Sequence, residues 1–173
     1  MFTFFNTLLY HILINSVKFF FIKKIRMPVS LDYWSLLIFI LFALPLAIID
    51  IKELRLPDFL TLPLYIFLLI SIAIFNPSIL MSSIFASVIS MLLFYCVGFF
   101  TKPLGGGDIK LVASVALLCG YPLFFIALLT SVLCALLYYI FLLFKNKAQE
   151  PIPFGPFLAT GGIITKLFIL LFL

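Results

Sequence analysis

The sequence predicts an all-α, polytopic membrane protein of about six transmembrane helices, and three observations carry that expectation. Hydrophobic residues make up 66% of the 173 positions and charged residues only 10%, whereas a water-soluble domain carries roughly a quarter. Phenylalanine alone fills 23 positions. That is more apolar surface than a soluble fold of this size can hide, so lipid is the solvent for most of the chain. The apolar runs are also long and unbroken, which excludes the short alternating segments of a barrel.

The elements follow in order. Residues 1–22 are apolar but carry Asn6, His11, Asn15 and Lys18, and Lys23-Lys24-Ile25-Arg26 follows them. Residues 1–27 are set apart as an N-terminal segment of uncertain role, and residues 28–173 form the transmembrane domain. The first strong run, 31–49, just spans a core of about 30 Å and ends at Asp50. A polar loop to Asp58 precedes the second run, 59–75, which closes at Asn76-Pro77-Ser78, a turn signal. The third run is 79–100. The loop Thr101-Lys102-Pro103-Leu104-Gly105-Gly106-Gly107 leads to Asp108 and a short fourth run, 109–119. Gly120-Tyr121-Pro122 separates it from the fifth run, 123–144, and Pro153-Phe154-Gly155-Pro156 leads into the last, 157–173. At 11 residues the fourth run is too short to cross a full bilayer as an ideal helix. Lys166, inside the last run, is expected to snorkel toward an interface.

Counting crossings places the chemistry. The second run leaves the face that holds Asp50 and the third returns to it, so Asp50 and Asp108 share one membrane face. Lys52, Arg55, Lys102 and Lys110 share it too, while residues 76–78 and 120–122 carry no Lys or Arg. By the positive-inside rule that face is cytoplasmic. The basic residues before Met27 conflict with an outward start for the first strong run, and translation starting at Met27 would remove the conflict. The net charge of +5 is thus a topology signal, and no nucleic-acid partner is expected. Cys96, Cys119, Cys134 and His11 lie singly in apolar stretches and read as packing residues, not metal ligands.

A carboxylate at a membrane edge is costly and marks a functional-site candidate. Two that approach closely can share a proton, one acting as base toward water and the other polarising a carbonyl, as in an aspartyl protease. Asp50 and Asp108 are the two acids held at ends of apolar helices. Gly105, Gly106 and Gly107 allow the backbone before Asp108 to bend and another segment to come close. The competing reading is a helix-boundary role, with Asp108 as an N-cap and the glycines as a hinge. Asp50 at a helix C-terminus gains nothing from the dipole.

Three segments resemble the type IV prepilin peptidase family, membrane aspartyl proteases of the G-x-G-D type. These are Ala47-Ile48-Ile49-Asp50-Ile51-Lys52 through Leu56-Pro57-Asp58-Phe59-Leu60-Thr61, Gly105-Gly106-Gly107-Asp108-Ile109-Lys110-Leu111, and Pro153-Phe154-Gly155-Pro156-Phe157-Leu158-Ala159. Asp58 stands where the family usually has Asn. The resemblance implies that Asp50 and Asp108 are the catalytic pair and that Gly105 and Gly107 fill the motif's glycine positions. It implies removal of the basic leader from prepilin or pseudopilin precursors at the cytoplasmic face of the cell membrane, within lipid. No metal or organic cofactor is implied, because two carboxylates and water suffice. Bifunctional members add a cytoplasmic domain with paired C-x-x-C motifs, linked to N-methylation. Nothing in these residues resembles it, so no methyl transfer is expected.

Two alternatives remain at this stage. A presenilin-like or signal-peptide-peptidase-like protease shares G-x-G-D, but Ile49 stands where those have Tyr, and no Pro-Ala-Leu occurs. A small channel or transporter would need polar residues recurring along several helices, and the runs here are mostly bare of them.

Overall fold

The computed structural model describes residues 32–101, 105–121, 123–145 and 152–172, and the expectations for residues 1–27 lie outside them. Among the described residues there are six helices and no strand. They are α1 (Asp32–Glu53), α2 (Asp58–Phe75), α3 (Pro77–Thr101), α4 (Gly106–Cys119), α5 (Leu123–Phe144) and α6 (Gly155–Phe172). Four of them (α1, α2, α3 and α5) are long and apolar enough to cross a membrane. The protein is a multi-pass membrane protein.

Each boundary that differs from the sequence reading has a local cause. α1 continues one turn past Asp50, to Glu53. Leu54, in the left-handed region at φ 52°, then ends it, with its N–H on the Asp50 carbonyl at 2.9 Å. α3 starts at Pro77 rather than at 79, because proline suits a first helical position whose N–H would go unpaired anyway. α4 starts at Gly106, so two of the three loop glycines are helical. Asp108 is therefore not the cap. Gly105 takes the cap position, without a side-chain cap bond.

α4 resolves the difficulty of the short fourth run. Its 14 residues rise only about 21 Å. Yet all of its residues from Leu111 to Cys119 are buried, with α2, α3, α5 and α6 packed around it. A helix enclosed by protein on every side need not match the bilayer. The outer helices do the reverse: 17% of the α5 span is buried, and 33% of the α1 span.

Small residues let α5 and α6 approach. A Cβ on Gly161 would fall 2.6 Å from the Ala127 carbonyl oxygen and 2.8 Å from the Ser131 nitrogen. A Cβ on Gly162 would fall 3.2 Å from Val115 and 3.5 Å from Phe39. In lipid such close packing replaces the hydrophobic effect as the force between helices. Trp34 stacks on Phe75 with ring centroids 6.3 Å apart, and Tyr121 meets Phe125 edge-on. Both pairs lie at the end of the bundle away from Asp50, where an aromatic belt is expected. Lys166 does not snorkel. It is 1% exposed, inside the bundle.

Candidate active site

The placement of Asp50 begins with the face of α1 that is buried. Leu36, Phe39, Ala43, Leu46 and Asp50 are all buried. Their spacings of three and four make one helical stripe facing the core. Leu37, Leu41, Leu44 and Ile48 form the exposed stripe. Asp50 is thus the last member of the core stripe, at 4% exposure.

Its side chain meets the start of α6. The Gly155 N–H donates to Asp50 Oδ2 at 2.7 Å. Gly155 is the first residue of α6, so this N–H has no partner within its own helix. A Cβ at position 155 would sit 2.8 Å from that carboxylate oxygen and 3.2 Å from Leu56 Cδ2. Only glycine lets the carboxyl group and the linker come this close.

Leu56 joins the two halves of the site. It lies in the linker between α1 and α2, and its other side abuts Gly107. A Cβ on Gly107 would lie 2.6 Å from both the Cβ and the carbonyl oxygen of Leu56. Asp108 follows on the first turn of α4, where the helix dipole favours a negative charge. It is half-buried and lies outside the four spans. Burial pushes its carboxyl up to about 6, helped by the negative charge of Asp50 and opposed by a hydrogen bond from the Gly105 backbone. The charge of one aspartate is therefore felt by the other. Ionising both carboxyl groups is therefore disfavoured relative to ionising one.

Asp50, Asp108, Gly105 and Gly107 are brought to one end of the bundle. Gly106 is not part of the packing, because a Cβ there would meet nothing within 4 Å. Lys110, one turn into α4, pairs with Asp58 at the start of α2 at 2.7 Å, tying the helix that carries Asp108 to the end of the linker. Sequence reasoning named Lys110 only as a topology anchor. It also missed the bond from Gly155 to Asp50, although the segment around Gly155 carried part of the family resemblance. Among the described residues no group of three or more His, Cys, Asp or Glu side chains is gathered so as to hold a metal ion.

The model of the type IV leader peptidase family matches residues 37–140, a stretch that includes both aspartates. Proteins named prepilin leader peptidase/N-methyltransferase are similar to the chain. The one from Dichelobacter nodosus is 34% identical over 148 residues, covering 82% of this chain and 50% of its own. That from Pectobacterium carotovorum subsp. carotovorum is 34% identical over 144 residues, covering 75% and 50%. That from Escherichia coli (strain K12) is 31% identical over 137 residues, covering 75% and 61%. The chain thus spans about half to three-fifths of the length of these relatives. No solved structure matches it at a significant level. With more than half of its residues matched by that model, and with relatives at least 30% identical over three-quarters or more of its length, the chain belongs to the type IV leader peptidase family.

Proposed function

We propose that the chain is a membrane-embedded aspartic endopeptidase. In this reading it removes the basic leader from prepilin or pseudopilin precursors at the cytoplasmic face of the cell membrane. Asp50 and Asp108 are its catalytic pair. The observation that carries the reading is that both aspartates lie near helix ends at one end of the bundle, linked through Leu56, which packs on Gly107 and Gly155, in a chain of this family. Family membership favours it over both a presenilin-like protease and a channel.

Cleavage needs the peptide carbonyl between a base that activates water and an acid that polarises the carbonyl oxygen. The reading assigns these residues leader cleavage and no methyl transfer. Supplied with a prepilin and a methyl donor, the purified chain should release the leader and leave the new N-terminus unmethylated. An uncut precursor would refute the peptidase, and a methyl group found by mass spectrometry would refute the restriction.

The orientation rests on Lys52 and Arg55, both exposed beside the site. In a cysteine-free background, Cys at position 55 should label from the cytoplasm and Cys at position 77 from the opposite side. The two positions are exposed and lie beyond opposite ends of α2. Cytoplasmic labelling of position 77 would reverse the assignment.

A further inference from the structure

Lys110 Nζ meets Asp58 Oδ1 at 2.7 Å, and the two residues suit their own helices unequally. Asp58 opens α2, where a helix dipole favours an anion. Lys110 stands near the start of α4, where the dipole disfavours a cation. Nothing in its own helix accounts for that charge, and its partner lies on another element.

The pair gains meaning from its neighbour. Gly107 and Lys110 are three residues apart, so they share one face of α4. Gly107 abuts the backbone of Leu56, where an added Cβ would lie 2.6 Å from the carbonyl oxygen. Lys110 reaches Asp58, two residues further along the same stretch of chain. The start of α4 is thus held to the end of the α1–α2 linker at two points, one steric and one ionic. Asp108 lies between them in sequence. The steric contact limits how near α4 comes, but one point of contact leaves the helix free to roll about its axis. A second attachment on the same face removes that freedom.

We propose, resting on the peptidase reading, that Lys110 and Asp58 are positioning residues whose ion pair sets the rotation of α4 and so aims Asp108 at the scissile bond. Its effect is on aim more than on folding. The side chains are 30% and 62% exposed, and exposed ion pairs add little to stability. A small roll is enough, because a displacement of about 1 Å between reacting groups can cost on the order of a hundredfold in rate. The other charged side chains of this linker and of the end of α1, Lys52, Glu53 and Arg55, are exposed, and none of them forms this tie.

A double-mutant cycle on prepilin cleavage tests the proposal, with rates taken per correctly inserted molecule. Lys110→Met keeps the length of the side chain and removes its charge, Asp58→Ala removes the partner, and the double variant lacks both. Each single change should lower kcat about fivefold and leave KM within about twofold, the scale of one exposed pair. The double variant should also fall about fivefold, not about twenty-five-fold, because the second change removes nothing that the first left intact. Asp58→Asn leaves an oxygen that still accepts from Lys110. It should therefore keep a higher kcat than Asp58→Ala, and that advantage should vanish in the Lys110→Met background.

A purely structural pair would alter the melting temperature and leave kcat per molecule alone. A mere topology anchor would alter only the amount inserted in the right orientation. Wild-type kcat in the single variants overturns the positioning role. So do losses that multiply in the double variant, a loss confined to KM, or an advantage of Asn over Ala that persists without Lys110. If the wild type itself leaves the prepilin uncut, it is the peptidase reading that fails. If it cleaves and the single variants cleave as fast, only the positioning fails.

Discussion

Asp50→Asn and Asp108→Asn should each lower leader removal by about 10²- to 10⁴-fold, the scale on which a general acid or base contributes. The substitutions are close to isosteric. Asn at position 50 can still accept the Gly155 N–H, so the bond that anchors α6 to α1 is kept and membrane insertion should be normal. What disappears is the ability to take or give a proton. The expected readout is a prepilin that stays at precursor size at equal amounts of inserted enzyme. Near wild-type processing by either variant would remove that residue from the pair. The same argument sets the pH dependence. Asp108 holds its proton below about 6 and loses it as pH rises through that value. In the wild type, kcat/KM should therefore fall tenfold per unit above it, with the apparent value belonging to the pair. A rate that stays level well above that pH would contradict a protonated carboxyl group in the pair.

Gly107→Ala should be the most damaging change outside the aspartates. The added Cβ would lie 2.6 Å from the carbonyl oxygen of Leu56. Backbone cannot turn aside as a flexible side chain can, so either the linker between α1 and α2 or the first turn of α4 must move. Overpacking of this kind costs about 1–3 kcal/mol. A displacement of about 1 Å between reacting groups can cost on the order of a hundredfold in rate. The neighbouring glycine is the control. Gly106→Ala meets open space and replaces a poor helix former within a helix, so it should be neutral or stabilise by up to about 1 kcal/mol. Adding Leu56→Ala to Gly107→Ala should not restore activity, because the carbonyl oxygen remains. Cleavage and thermal stability measured on the two glycine variants decide the point, and equal behaviour would show that Leu56 does not pack on Gly107 as described.

Much of this protein was legible in the chain, and the parts that were not share a cause. The lipid solvent, the runs that became helices, the basic residues near one end and the two candidate carboxylates are all properties of single residues or short windows. Each residue's transfer between water and lipid is nearly independent of its neighbours, so summing along the chain recovers it. Membership of the family was legible for the same reason, because its motifs are short and contiguous.

The tertiary structure alone decided what depends on pairs of distant residues. Asp50 and Gly155 are 105 positions apart, and no local pattern links them. Lys166 is enclosed by the bundle although its place in the sequence suggested reach to an interface. The short fourth run became the buried α4 and not a thin crossing. In water, polar and apolar faces reveal which side of a helix is buried. In lipid both sides are apolar: Leu46 faces the core and Leu44 faces outward on the same helix. Composition therefore says that a helix lies in the membrane, but not which stripe meets another helix. That choice is made by close fit, such as Gly161 against Ala127 and Gly107 against Leu56, and fit exists only once both surfaces are in place.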